Sequence, residues 1–273
     1  MSRLSLPCPI DYKAWVIHGM LFAGLAFGLF TGMLVCLAIG RRFGVRRLAQ
    51  DPEGAQAGIS AIDGSVFALV GLLIAFTFSG AATRFDGRRH LIAEEANAIG
   101  TAWLRLDLLT EADQPALREL FRGYLDARIA AFRSAHDMVE VRALLDRSAA
   151  LQSQIWSGAV EACRAPGMKR ATILLLPALN QMIDITTTRR IATESHPPQV
   201  IYTLLFTLTL TAALLAGYDM AGGKRRNWLH MIGFAATMAL AIYVILDIEY
   251  PRRGFIRVDE ADHVLIELRA SMD

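Results

Sequence analysis

Charge is missing from four long stretches of this sequence, although 20% of its residues are charged. The charge-free stretches are residues 14–40, 64–83, 195–218 and 227–246. A helix needs about 20 apolar residues to cross the hydrocarbon layer of a bilayer, and these stretches lack the alternation of barrel strands. They therefore predict an integral membrane protein with four transmembrane helices. The predicted helices span about residues 14–39, 62–83, 199–218 and 227–247.

The sequence also lacks the patterns of covalent catalysis and metal binding. GxSxG, HExxH and GxxxxGK[ST] are absent, no two histidines stand three or four residues apart, and the three cysteines form no CxxC pair. A net charge of +2 without a basic, aromatic-rich patch gives no reason to expect a nucleic-acid partner. The expectation is a protein that is not an enzyme and has no cofactor or metal.

The remaining charge is concentrated in one insert between the second and third apolar stretches. We predict a first transmembrane hairpin at 1–83, a helical extramembrane domain at 84–198 that is continuous with the second membrane helix, a second hairpin at 199–247 and a C-terminal tail at 248–273. Within the insert, Thr110 to Asp113 looks like a capping box. Apolar residues then recur at three- and four-residue steps from Leu117 to Phe132, which predicts an amphipathic helix.

Two further helices are predicted in the insert, from about Met138 to Cys163 and from about Lys169 to Glu194. The fold class is therefore all-α, with two membrane hairpins separated by a helical domain. Four crossings place this domain on the same side of the membrane as both termini.

A row of residues at steps of four runs along the second predicted membrane helix. Ala68, Leu72 and Phe76 share one face, and the row continues through Gly80 to Arg84. In an oligomer with this helix at its axis, the row would form apolar rings of the kind that gate ions by dewetting. The same row equally fits simple packing against neighbouring helices.

The charged stretch beyond Arg84 leaves similar alternatives open. Asn97, Thr101 and Arg105 also follow at steps of four, and Glu94 and Glu95 stand near Arg89 and His90. These residues fit plain intrahelical ion pairs, a polar wall facing a vestibule, or links between subunits. The small, uncharged run 96–102 predicts a close helix–helix contact.

Two segments resemble a known family. LIAFTFS followed by AATRF, the arginine pair Arg88-Arg89 and Asn97 resemble the bestrophins. RFDGRR with EANAIGTAWLRLDLL, and the C-terminal LDIEYPRRG, are similar to the prokaryotic bestrophin-like membrane proteins. The resemblance implies a homopentameric channel in a bacterial cytoplasmic membrane, with the helical domain in the cytoplasm and chloride or another small anion as the permeant ion.

The resemblance also implies which side chains line the pore. The neck would consist of Ala68, Leu72 and Phe76. The pore exit and vestibule would consist of Arg84, Arg88, Glu94, Asn97, Thr101 and Arg105. The acidic cluster that binds calcium in animal bestrophins has no counterpart, since Asp259, Glu260 and Asp262 follow a different spacing, and we expect no calcium gating.

Two other classes compete with the channel. A non-conducting membrane scaffold or sensor would bind a partner protein through the helical domain, using an exposed apolar face at residues 115–135. A membrane enzyme would need a convergent nucleophile, base or metal set, which the sequence does not offer.

Overall fold

The computed structural model describes residues 12–50, 59–134, 138–223, 227–251, 256 and 259–272. All regular structure within these residues is helical. The helices are α1 (Tyr12–Gln50), α2 (Ile59–Leu104), α3 (Gln114–Arg133), α4 (Met138–Cys163), α5 (Lys169–Glu194), α6 (Gln199–Asp219), α7 (Trp228–Glu249) and α8 (Asp259–Ala270). Short 3-10 turns follow α2 at Arg105–Leu108 and α6 at Met220–Gly222.

Four helical stretches of the described chain are long and apolar enough to cross a membrane, and they lie in α1, α2, the α5–α6 region and α7. This confirms the predicted all-α membrane fold. α1 extends beyond its predicted end to Gln50, and its last ten residues include four arginines, which favour a helix C-terminus. α2 continues past its membrane stretch to Leu104, within the residues where the extramembrane domain is expected to continue this helix. The predicted tail contains α8, which the sequence analysis did not identify.

The described chain forms two compact units. The first, here called the helical unit, consists mainly of residues from Phe85–Ser195 and of α8. The second, the membrane unit, consists of the described residues of Val16–Arg84 and His196–Ile256. α2 contributes to both units, since its apolar first half ends near Arg84.

The core of the helical unit is built on the amphipathic face of α3. Leu117, Phe121 and Leu125 are buried on this face, and Phe121 packs edge-on against Trp103 at 6.1 Å between ring centroids. Removing a buried phenylalanine side chain of this kind costs about 3–5 kcal/mol. The predicted capping box does not form: α3 begins at Gln114, and the Thr110 hydroxyl donates to the Asp113 carboxylate at 2.6 Å.

The small residues near the end of α2 pack closely in the same core. Ala98, Ile99 and Ala102 are almost fully buried, which confirms the predicted helix–helix contact of the run 96–102. A Cβ atom added at Gly100 would lie 3.3 Å from Leu268 of α8. Small side chains therefore allow α8 to approach this part of α2.

Glycines bring α1 and α6 into backbone contact in the membrane unit. A Cβ atom at Gly40 would collide with the Leu214 carbonyl oxygen, and one at Gly217 would collide with the Leu37 carbonyl oxygen. At Gly44 it would lie 2.6 Å from the Tyr218 carbonyl oxygen. Lipid offers no hydrophobic drive for helix association. Close packing through small residues such as these glycines is therefore a main source of the attraction between membrane helices.

Candidate functional site

The proposed neck residues lie on an exposed face of α2. Ala68 is exposed, and Leu72 and Phe76 are 52% and 67% exposed in the single chain. They therefore do not pack inside their own membrane unit. By contrast, Val70, Thr77 and Ala81 of the same helix are buried in that unit. α2 thus has one face that packs within the chain and one that is available to lipid or to another subunit.

Arg84 does not share this exposed face. An α-helix turns by about 100° per residue, so each step of four rotates the row by about 40°. Across the four steps from Ala68 to Arg84 this drift carries the side chain to the other side of α2. The guanidinium lies back along α2, where a Cβ atom at Gly80 would be 3.2 Å from its Nη1 atom.

The Arg84 guanidinium forms a two-pronged ion pair with Glu249 at the end of α7. Arg84 Nε donates to both carboxylate oxygens, at 3.1 and 3.0 Å, and Nη2 donates to Oε2 at 2.7 Å. The Glu249 side chain is fully buried, whereas that of Arg84 is 31% exposed. This geometry gives charge-assisted hydrogen bonds that fix α2 against α7.

His196, in the segment between α5 and α6, completes this cluster. Its Nδ1 atom lies 3.0 Å from Glu249 Oε1. Its ring stacks on Tyr250 at 4.6 Å between centroids, and Tyr250 stacks on Phe22 of α1 at 5.5 Å. Arg84, Glu249 and His196, here called the Glu249 cluster, therefore connect residues next to or within three membrane helices.

Arg88 is buried against the end of α5. Its Nε atom donates to the Ala192 carbonyl oxygen and Nη2 to that of Ser195, both at 3.0 Å. The last carbonyls of a helix lack partners within the helix, and a cation there also complements the helix dipole. Arg88 therefore acts in this chain as a C-terminal cap for α5 and does not face outward.

Glu95 forms a second buried cluster, inside the helical unit. Its carboxylate accepts a hydrogen bond from Arg128 Nε at 2.7 Å and another from Arg189 Nη1. Both guanidiniums also lie over the Phe132 ring, at 5.0 and 4.3 Å from its centroid. Glu95, Arg128 and Arg189 are here called the Glu95 cluster. Of the alternatives left open by the sequence, an intrahelical pair of Glu95 with Arg89 or His90 is not the one that forms.

Electrostatics in the Glu95 cluster favour the ionised carboxylate. Burial alone would raise the pKa of Glu95, but the charges and hydrogen bonds of Arg128 and Arg189 outweigh it and hold the pKa below its ordinary value. Nearby, burial and then the charge of Glu95 raise the pKa of Tyr124, whose hydroxyl accepts a hydrogen bond from Gln152 at 3.2 Å. The cluster is therefore a charged centre inside an otherwise apolar core.

The other predicted vestibule residues have different surroundings. Glu94 and Asn97 are exposed, and Glu94 pairs with His90 at 3.2 Å. Thr101 is partly buried. Arg105 belongs to the 3-10 turn after α2, so it leaves the α-helical register of Asn97 and Thr101. Its Nη1 atom donates to the Leu174 carbonyl oxygen at 2.6 Å.

Nothing in the local sequence identified the partners of these clusters. Glu249 follows Arg84 by 165 residues, and Arg189 follows Glu95 by 94. The available signal was an acidic residue at the end of an apolar run, which is costly in lipid unless it is paired.

Within the described residues, no three His, Cys, Asp or Glu side chains lie together as metal ligands.

Comparison with known proteins identifies the family. The sequence model of the bestrophin-like domain matches residues 27–262, which is most of the chain. The chain belongs to the bestrophin-like family. The matched region includes α2 and α7, and so contains both the exposed row of proposed neck residues and the Glu249 cluster of this bestrophin-like protein. No functionally curated protein matches the chain in sequence.

Solved structures share the bestrophin-like fold at low sequence identity. A variant of a bacterial bestrophin homologue from Klebsiella pneumoniae matches with a TM-score of 0.66 and 10% identity, over 89% of this chain and 99% of the homologue. Another variant of it matches with a TM-score of 0.63 and 12% identity, over 90% and 98%. A structure described as a membrane protein matches with a TM-score of 0.66 and 10% identity, over 90% and 98%.

Proposed function

We propose that this bestrophin-like protein is a homopentameric channel that passes small anions such as chloride along a pathway lined by α2. The observation that carries the proposal is the exposure of Ala68, Leu72 and Phe76 on one side of α2. A second copy of the chain that packs on this face would cover these large apolar side chains. Several copies arranged around an axis would form a neck.

The proposed neck would control ion passage by its apolar character. Rings of Leu72 and Phe76 offer no hydrogen bonds to replace the hydration shell of an ion. An apolar constriction of this kind closes when water leaves it and opens when it widens by a small amount. The smaller Ala68 ring would be the wider end of the same neck.

Preference for anions is supported by the charges at the end of the neck. Arg89 is exposed there, whereas Arg84 pairs with Glu249 and Arg88 caps the end of α5. Glu249 offsets part of the Arg84 charge, and the exposed Glu94 lies further along the helix. The proposed vestibule residues Glu94, Asn97 and Thr101 would therefore moderate the selectivity set by Arg89.

Halide flux into liposomes tests the neck directly. Phe76→Ala should raise the flux about tenfold, because the smaller side chain widens the apolar ring. A tenfold change corresponds to a barrier lower by ~1.4 kcal/mol. Leu72→Ala should act in the same direction. The chloride-to-sodium permeability ratio, measured from reversal potentials in bilayers, tests the proposed anion preference.

Phe78→Ala is the matched control for this experiment. Phe78 is 44% exposed on α2, but a separation of two residues turns it about 200° away from Phe76. The control should change flux less than twofold. Two results would contradict a pathway lined by α2: a protein that conducts no halide, or equal flux in the Phe76 and Phe78 variants.

We also propose that the protein lies in the bacterial cytoplasmic membrane with its helical unit in the cytoplasm. Cys163, a free and partly exposed thiol at the end of α4, reports on this orientation. In a Cys8→Ser, Cys36→Ala background, a membrane-impermeant maleimide should label Cys163 in inside-out vesicles but not in intact cells. Labelling of intact cells, absent in the further Cys163→Ser variant, would reverse the orientation.

The competing scaffold function has one observation in its favour. The apolar face expected to bind a partner, at residues 115–135, packs into the helical unit at its described residues from Leu117 to Phe132. Elsewhere on this unit, Leu104 and Ile173 are 68% and 70% exposed. Arg105 bonds to Leu174, so these side chains belong to neighbouring segments. Particle symmetry distinguishes the functions: five-fold averages support the channel, and a monomer or dimer supports the scaffold.

A further inference from the structure

We infer that the Glu249 cluster is a proton-binding site in which protonation of His196 increases anion passage along α2. The inference rests on the proposed function for its flux readout, but the proton-dependent movement that it requires can be measured without conduction.

The carboxylate at the centre of the cluster has a fixed place and fixed partners. Glu249 is fully buried and accepts three hydrogen bonds from Arg84 and a contact from His196. The neighbouring acid Asp247 is engaged elsewhere, since its carboxylate accepts from the Ile256 amide at 2.8 Å. The described contacts of Arg84 and His196 in this cluster are therefore with Glu249 and not with Asp247.

The groups that face Glu249 come from each neighbouring element with a described contact. Arg84 comes from α2, His196 from the segment before α6, and Tyr250 from the residue after α7. Phe22 of α1 contributes an apolar ring that supports Tyr250. His196 is thus the member of the cluster whose side-chain type ordinarily changes charge between about pH 5 and 8.

Solvent can reach this histidine although the carboxylate is buried. The His196 side chain is 31% exposed, and its stacking on Tyr250 fixes the ring with Nδ1 directed at Glu249. A neutral ring must carry its proton on Nδ1 to donate to the carboxylate. Protonation adds a second N–H at Nε2 and strengthens the Nδ1 bond, because a charged donor makes a stronger hydrogen bond.

Protonation changes the charge of the whole cluster. With neutral His196, the charges of Arg84 and Glu249 sum to zero. Protonation of His196 adds one positive charge beside the Glu249 carboxylate, next to that of Arg84. Arg84 then competes for Glu249, which loosens the connection between α2 and α7, and the added charge attracts anions toward the end of the proposed neck.

Flux measured against pH tests the functional half of the inference. Wild-type halide flux should rise about fivefold from pH 8.0 to pH 5.5, the lower end of ordinary coupling between two sites. At both pH values, His196→Gln should show the wild-type flux of pH 8.0. His196→Arg should show the higher wild-type flux of pH 5.5 at both pH values. His230→Gln, which removes an exposed histidine of α7, should retain the wild-type response.

A fluorophore on α2 tests the structural half. Thr83 is exposed beside Arg84, and a pH-insensitive bimane on Thr83→Cys, in a background without other cysteines, should change emission between pH 8.0 and 5.5. The change should disappear in His196→Gln and persist in His230→Gln. If it persists in His196→Gln, or is absent from the wild type, the proton site is overturned.

The two readouts separate the two proposals. A protein that carries no halide but shows the His196-dependent emission change fails as a channel and keeps its proton site. A protein that conducts with the same flux at both pH values, and shows no emission change, keeps the channel and loses the proton site. Glu249→Gln is not needed for either decision, so a folding defect in that variant would not affect them.

Discussion

Glu95 in the helical unit and Glu249 in the membrane unit are both fully buried, yet their partners differ in type and exposure. Glu95 is held by two arginines whose side chains are 6% and 9% exposed. The described contacts of Glu249 are with Arg84 and His196, each 31% exposed. Arginine keeps its charge at all ordinary pH values and histidine does not. The first cluster is therefore a permanent structural centre, whereas the second is the proposed proton-binding site.

The largest effect should follow removal of the Glu95 charge. Glu95→Gln leaves two guanidiniums buried without their anion, and breaking a buried ion pair in this way costs about 3–5 kcal/mol. We expect the midpoint of thermal unfolding of the purified protein to fall sharply. Glu94→Gln, at the adjacent exposed position, is the control and should change stability by only a few tenths of a kcal/mol. Equal losses in the two variants would contradict a structural role for the Glu95 cluster.

Acidification should reproduce part of that loss. The pKa of Glu95 is lowered in the folded protein, so the stabilisation is fully present above the ordinary glutamate pKa and is lost as the pH falls through the folded-state pKa. The free energy of unfolding of the wild type should therefore decline in this acidic range. Glu95→Gln should show a shallower decline when both proteins are measured in the same detergent. Parallel curves would show that other carboxylates determine the acid sensitivity.

Removal of Arg84 should have a smaller effect than removal of Glu95. Arg84→Gln deletes hydrogen bonds to the charged Glu249. Such bonds are worth about 1.5–3 kcal/mol, reduced here because Arg84 is partly exposed. Arg89→Gln is the comparison variant, since Arg89 is exposed and its contact with the Phe85 ring is 5.9 Å long. Unfolding in denaturant should rank Arg84→Gln clearly below Arg89→Gln in stability.

The smallest stability effect should come from His196. Its contact with Glu249 is a single hydrogen bond from a side chain that solvent reaches, and such partly exposed pairs contribute about 0–1 kcal/mol. His196→Gln should thus unfold within a few degrees of the wild type at pH 8.0. A large loss would make His196 a structural residue like Arg128 and would remove the contrast between the two clusters.

The sequence was sufficient to predict the secondary structure because the relevant signals are local. Charge-free runs of membrane length predicted four spans, and apolar spacing predicted α3, while the bounds of α4 and α5 agree with the expected helices. The exposed and buried sides of α2 were harder to assign. Counting by fours treats a row as straight, but the accumulated rotation moves Arg84 away from the face of Ala68.

Contacts between distant segments could not be read from one sequence. Arg84 and Arg88 both stand in the same charged stretch, but one pairs with a carboxylate of α7 and the other caps α5. Their partners depend on the tertiary positions of those helices. The same limit explains α8: its short amphipathic pattern gave no sign that Leu265 would be buried in the core of the helical unit.

The glycine contact between α1 and α6 also has a consequence for biosynthesis. Beside it, Arg41 donates to the Gly223 carbonyl oxygen, a contact between residues 182 positions apart. At about 5–20 residues per second, the ribosome needs roughly 10 to 35 seconds to make the intervening chain. During that interval α1 is in the bilayer without α6, and its glycine surface faces lipid. The α1–α6 contact of the membrane unit therefore forms only after most of the chain has been translated.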